Sequence, residues 1–371
     1  MNSTVGLTDR QGEGITKGIT KGITMRGKRN RLICVILSVV MLIMAAGCGS
    51  DMQQDEEMVQ DSNDGIEIGL SIDSLVIERW QRERDLFVSK ATELGAEVNV
   101  QNAGGEIEEQ IKQIEYFIDK DVDVIVVIAI DDEALMDVLS KAKKSGIKII
   151  AYDRLVRNAN VDLYTSIDNE KVGELMGTYI KKKIGNSGNI IQIKGSPTDY
   201  NVQMVQAGFE KALKDTNINI DHAEYSDNWV AENGFTVTSN YLASGKVPDA
   251  IMCGNDNLAA NAIRALIEKR LAGEVCVVGQ DADLEACQRI VEGTQYMTVY
   301  KPVEKLAKSA AEAAVALAKN EPLNTTDTIN DGTYDIPYEK LEPIAVTAEN
   351  MDEVITGKYH QRSEIYLNVK E

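Results

Sequence analysis

Residues 124–130 read V-I-V-V-I-A-I, an apolar run too short to cross a membrane and lacking the alternation of a strand with one wet face. Such a strand is buried on both sides. It needs a covering layer above and below, and helices supply both layers when strands run parallel. The rest of the chain repeats the theme. Strand-like runs fall at 66–72, 96–100, 122–130, 147–151, 161–167, 189–194, 219–225, 250–253, 275–279 and 297–300. Amphipathic stretches lie between them at 75–94, 107–119, 132–145, 169–184, 202–214, 258–270 and 303–319. In the first of these Trp80, Phe87, Ala91 and Leu94 share one face at helical spacing. Gly95, Gly146 and Gly185 stand where helices end. One open sheet of some ten strands would be long, so two sheets of about five strands fit better, dividing near residues 165–168. The fold class is α/β, with doubly wound parallel sheets.

The chain's two ends of composition differ. The first 47 residues hold seven Lys or Arg against two Asp or Glu, leaving 32 basic against 57 acidic in the remainder. A surface that acidic repels phosphate backbones, so no nucleic acid is expected as a partner. Arg26, Lys28, Arg29 and Arg31 precede an apolar run at 32–44, followed by Ala45-Ala46-Gly47-Cys48. This is the layout of a secretory signal over 25–47, and the acidic flank from Asp51 to Glu57 argues against a stop-transfer helix. The ending resembles a bacterial lipobox, which makes Cys48 the expected lipidation site and the membrane a partner through that anchor. The repeat G-I-T-K-G-I-T-K-G-I-T within residues 1–24 reads as a mis-assigned extension, with Met25 as the start. Residues 48–65 are polar, acidic and aperiodic, a flexible tether. Cys253, Cys276 and Cys287 have no disulfide or metal spacing, and two histidines are too few for a zinc site, so no metal and no cofactor are expected.

Ligands of open parallel sheets bind beyond the carboxyl ends of the strands. The residues there are Asp73, Gln101-Asn102, Asp153-Arg154, Asp168-Asn169, Asp199, Asn201, Asn255-Asp256, Gln280-Asp281 and Lys301. Carboxylates, amides and a guanidinium offer fixed partners to a ligand rich in hydroxyls. Because they come from both sheets, the ligand would lie between two domains. Asp73, Asp168 and Asp256 serve equally well as helix caps. Arg154 and Lys301 have no such alternative use. Trp80, near a helix start, either packs in the core or stacks on a sugar face. The chain has no G-x-S-x-G, P-loop, G-x-G-x-x-G after a strand or H-E-x-x-H. The interleaved carboxylates and cations suit binding better than a glycosidase, whose general acid needs a raised pKa. No enzyme activity is expected.

The segments I-D-S-L-V-I-E-R-W-Q-R-E-R-D (72–85), A-Y-D-R (151–154), S-I-D-N-E-K-V-G-E-L (166–175), G-S-P-T-D-Y-N (195–201), N-D-N-L-A-A (255–260), G-Q-D-A-D-L (279–284) and G-T-Q-Y-M-T-V-Y-K-P (293–302) resemble the D-xylose-binding proteins of bacterial ABC importers. The resemblance implies a type I periplasmic binding protein: two Rossmann-like lobes joined by a three-crossing hinge, with 66–165 plus 301–324 in the first lobe and 166–300 plus 325–365 in the second. It implies that Arg79, Asp153, Arg154, Asp199, Asn201, Asn255, Asp281 and Lys301 hydrogen-bond a pyranose while Trp80 stacks on it. It also implies a second stacking Trp, at a position where a gapless match puts Asn233; Phe235, two residues on, is the expected substitute. The implied partners are a monosaccharide, D-xylose, and an ABC permease with its ATPase; the protein is expected to be an extracytoplasmic, lipid-anchored monomer. A sensor presenting sugar to a membrane kinase or chemoreceptor, or a receptor for another pentose or hexose, is the alternative.

Overall fold

The computed structural model describes residues 65–369. The expected extension, the signal over 25–47, Cys48 and the tether up to residue 64 lie outside the described residues.

The first lobe opens with β1 (Ile66–Ile72), α1 (Glu78–Glu93), β2 (Ala96–Asn102), α2 (Ile107–Asp119), β3 (Val124–Ile128), α3 (Met136–Lys144), β4 (Lys148–Tyr152) and β5 (Leu163–Ile167). The second contains α4 (Asn169–Ile184), β6 (Ser187–Lys194), α5 (Tyr200–Leu213), β7 (Asn217–Tyr225), α6 (Glu232–Ala243), β8 (Ala250–Cys253), α7 (Asp256–Glu268), β9 (Cys276–Val278), α8 (Leu284–Glu292) and β10 (Thr298–Tyr300). The chain then returns to the first lobe through α9 (Val303–Ala318), β11 (Asp327–Asn330) and β12 (Asp335–Leu341). It ends in the second with β13 (Ile344–Val346), α10 (Met351–Val354) and α11 (Arg362–Ile365). Three crossings therefore join the lobes, after β5, β10 and β12.

The first sheet has the order β11-β12-β5-β4-β3-β1-β2. All its pairs are parallel except β11 with β12. The second runs β7-β6-β8-β9, all parallel, and a single bridge from Val278 to Met297 continues it to the antiparallel pair β10-β13. Both lobes thus place their first four strands in the order 2-1-3-4, with a switch point between the first and third. Buried strands explain the layering. Along β3, Val124, Val126 and Ile128 pack into the cluster containing Trp80, Phe87 and Leu306, while Ile125 and Val127 face Ile114, Phe117 and Leu139. Period-two alternation feeds both helical layers at once.

Two expectations need correction. Sheets of five strands each were too small, since β11 and β12 extend the first to seven. For the same reason residues 327–341 belong to the first lobe rather than the second. β12 pairs with β5 from Tyr338–Tyr164 to Leu341–Ile167, so the lobe change falls after Leu341.

Candidate functional site

Asp153 and Arg154 follow β4, the fourth strand of the first lobe. Gln280 and Asp281 follow β9, the fourth strand of the second, so the two aspartates occupy matching places. Asn255 follows β8, Asp199 and Asn201 lie after β6, Lys301 follows β10, and Arg79 and Trp80 stand in the first turn of α1. All nine of the residues expected to meet ligand line one cavity between the lobes, which encloses ≈ 590 Å³ including its mouth. None of the nine is more than 7 % exposed.

Ion pairs tie the lobes together across this cavity. Arg154 Nη1 reaches Asp73 Oδ2 at 2.7 Å within its own lobe, and its Nε reaches Asp199 Oδ2 of the other at 2.8 Å. Arg154 Nη1 also donates to Ala129 O at 2.8 Å. Arg79 pairs with Asp153, donates from Nε to Glu83 Oε1 at 2.5 Å, and approaches Asp281 Oδ1 at 3.5 Å. Lys301 Nζ lies 2.9 Å from the same Asp281 oxygen. Asn201 Nδ2 donates to Asp153 Oδ1 at 3.1 Å. Burial would push the Asp153 carboxyl up, but Arg79 and then Lys301 outweigh it and hold the group below its ordinary value. Burial opposes the charge on Arg79 as well, yet Asp153, Glu83 and Asp281 keep it protonated. Asp199 shows the opposite balance: burial raises it despite Arg154.

Capping and cleft roles coincide. Asn255 accepts from Leu258 N at 2.9 Å and Asp199 from Asn201 N at 3.0 Å, and both still line the cavity. Asp168 does not line the cavity: it caps α4 by accepting from Lys171 N and pairs with Lys340 Nζ at 3.2 Å. Asp256 turns away from the cavity to accept from Thr298 and Gln295. Asp153 (φ 63°), Asp281 (φ 102°) and Trp229 (φ 57°) hold left-handed backbone that costs non-glycine residues on the order of 1–3 kcal/mol apiece. Strain of this kind persists where the surroundings over-determine it, and here it aims all three side chains at one space.

Five buried polar atoms of the lining have no hydrogen-bond partner among the described residues: Trp80 Nε1, Trp229 Nε1, Gln192 Nε2, Gln280 Oε1 and Asp281 Oδ1, the last held by its ion pairs with Lys301 and Arg79. Unpaired buried groups are rare because each costs about 1–3 kcal/mol. Together with paired charges that retain spare lone pairs and protons, they present donors and acceptors on several sides of a slot walled by indoles. Such a site binds a small, neutral, hydroxyl-rich molecule with an apolar face. Among the described residues no group of His, Cys, Asp or Glu is arranged to hold a metal ion.

Residues 68–322 match the family described as periplasmic binding protein domain. The chain belongs to that family. This binding protein is 45 % identical over 307 residues to the D-xylose-binding periplasmic protein of Haemophilus influenzae, covering 81 % of this chain and 92 % of the relative. It is 43 % identical over 306 residues to the Escherichia coli protein of the same name, with the same two coverages. Its fold matches the crystal structure of an ABC transporter solute-binding protein from Clostridium phytofermentans with bound β-D-glucose. There the TM-score is 0.74 and the identity 26 %, covering 81 % of this chain and 99 % of the other. The type I periplasmic-binding-protein fold follows from both kinds of likeness.

The expected second aromatic wall is corrected by the structure. Phe235 does not line the cavity; its ring lies under the Arg264 guanidinium, with Cζ 4.3 Å from the centroid. Asn233 is turned to Ser226, donating to its hydroxyl at 3.2 Å. Trp229 forms the wall instead, packed so tightly on Gly195 that a Cβ there would sit 2.1 Å from Cη2 of the indole. The 3-10 turn Asp227–Trp229 carries this Trp over Gly195, just beyond the end of β6. Sequence reasoning also missed Gln192, Lys194 and Gln206. The available signal was the polar pair breaking the apolar alternation of N-I-I-Q-I-K at 189–194.

Proposed function

We propose that this periplasmic binding protein captures D-xylose between its lobes and delivers it to an ABC permease driven by a cytoplasmic ATPase. In this reading it is extracytoplasmic, anchored as a monomer through a lipidated Cys48, and performs no reaction. Arg79, Asp153, Arg154, Asp199, Asn201, Asn255, Asp281 and Lys301 hydrogen-bond the pyranose, while Trp80 and Trp229 pack on its faces. The observation that carries the reading is the meeting of charged strand ends from both lobes around one cavity with two indoles in its lining. The 45 % identity to a D-xylose-binding protein supports the choice of pentose.

The cycle is a ligand-driven shift between open and closed lobes. The lining is too buried for a sugar to enter without the lobes parting. When they part, Arg154 separates from Asp199 and Arg79 from Asp281, and all four groups hydrate. A bound sugar repays that hydration by bridging the lobes. Isothermal titration of the soluble domain, the chain starting after Asp64, against xylose, ribose, arabinose, glucose and galactose tests the reading. Tightest binding of xylose is expected; tighter binding of another sugar would overturn the specificity, and no heat with any of them would overturn the receptor.

A further inference from the structure

Gln192 is a polar residue where the lobe should be greasy. It lies on β6, hydrogen-bonded in register between β7 and β8, where it faces Ala223 and Met252. Ile191 and Ile193 on either side of it belong to the core beneath α7, and Ile190 belongs to the core beneath α4. Period-two alternation therefore puts Gln192 on the same face as Ile190. The side chain is 2 % exposed and lines the cavity beside Val205 and Met252. Its Nε2 has no hydrogen-bond partner among the described residues. Lys194, two residues on and on the same face, is occupied: its ammonium donates to Gln206 at 3.3 Å and lies 3.6 Å from the centre of the Tyr225 ring.

A buried carboxamide with unsatisfied donors weakens the closed, empty state, and a methionine of similar length would fit the Val205 and Met252 surroundings without that penalty. Gln192 stands two residues inside the end of β6, roughly 7 Å below the plane of the strand-end residues. It forms the floor of the cavity on the side of the second lobe, deeper than the residues that follow the strands. We propose that Gln192 is a ligand-contacting, specificity-determining residue that donates from Nε2 to a hydroxyl oxygen of the bound sugar. This rests on the sugar-receptor reading above and adds to it a contact from within a strand, where the rule of ligands beyond strand ends does not look. An amide that is unpaired when the cavity is empty and paired when it is filled contributes to closure with opposite signs in the two states.

Gln192→Met separates these signs. The variant is expected to bind D-xylose roughly tenfold to a hundredfold more weakly in calorimetric titration, because a sugar oxygen then faces a thioether. Its unliganded melting temperature is expected to stay level or rise by about 2 °C. Affinity within twofold of the unmutated protein would overturn the proposal. So would a lower unliganded melting temperature accompanying the weaker binding, since the residue would then be a structural one. The unmutated protein is titrated in parallel: if it binds no monosaccharide, the receptor reading fails and takes this contact with it; if it binds and the variant binds equally, only the role of Gln192 falls.

Discussion

Arg154→Ala removes the cation that joins the two lobes most directly. In the structure its guanidinium spans Asp73 at 2.7 Å and Asp199 at 2.8 Å, one carboxylate from each lobe. Asp199 is 3 % exposed, so in the closed state its charge would lose its main partner with no access to water. Breaking a buried pair by deleting one member costs about 3–5 kcal/mol. Asp73 has a more exposed side chain, at 12 %, and recovers some hydration, which favours the lower end, about 3 kcal/mol. In the open state both carboxylates are wet and the cost vanishes. It therefore falls on ligand binding, weakening xylose by roughly a hundredfold, while the unliganded melting temperature changes little. Arg154→Lys keeps the charge but not the fork that serves both carboxylates, and is expected to lie between. Asp199 is already raised by burial, and without Arg154 closure would require it to bind a proton. Xylose affinity of the alanine variant should then improve as pH falls, more than in the unmutated protein. Calorimetric titration at two pH values, with thermal melts of each unliganded variant, reads all of this. Binding by Arg154→Ala within threefold of the unmutated protein would refute the reasoning about the lobe-bridging pair.

Trp229→Ala is expected to weaken xylose binding by about tenfold or more through loss of an indole wall, and Phe235→Ala to leave it unchanged; titration of both variants checks this, and the reverse order would return the aromatic role to Phe235. Asp283 is pushed up to about 9 by burial, then by Asp256, Asp281 and Glu78, so the native state keeps a proton that the unfolded chain releases. Its contribution to stability is then intact at pH about 4 and is lost progressively as pH rises toward about 9. The melting temperature of Asp283→Asn minus that of the unmutated protein should grow from pH 5 to pH 8, and a gap that stays flat or shrinks would contradict the assignment. Cys48→Ala in the full chain should release the protein from the membrane fraction or block its processing, read by fractionation and mass spectrometry, and retention of normally processed protein would exclude the lipid anchor.

The legible part of this protein was the part governed by period. Apolar runs such as 124–130 announced strands buried on both faces, and strand ends then pointed to Asp153, Arg154, Asn255, Asp281 and Lys301 because parallel sheets expose their ligand sites there. The illegible part depended on turns and returns. Trp229 reaches the cavity from a turn in which Asn228 and Trp229 both take left-handed backbone; Asn favours that conformation, but nothing in a Trp announces it. β12 carries Pro337 and alternates weakly, and its membership in the first sheet is decided by pairing with β5 more than 150 positions earlier. Gln192 was hidden by its own strand, since a polar residue inside an apolar run reads as a blemish until its unpaired amide is seen facing the cavity.

The chain's two tryptophans, Trp80 and Trp229, both line the cavity, so intrinsic fluorescence reports on that space and little else. Titrating D-xylose into the soluble domain while recording tryptophan emission is the most direct test of the site. The emission is expected to shift and saturate with the same midpoint as the calorimetric heat, and Trp80→Phe, which leaves Trp229 alone, should still respond. Heat of binding with an unchanged emission spectrum would place the sugar elsewhere and contradict the account.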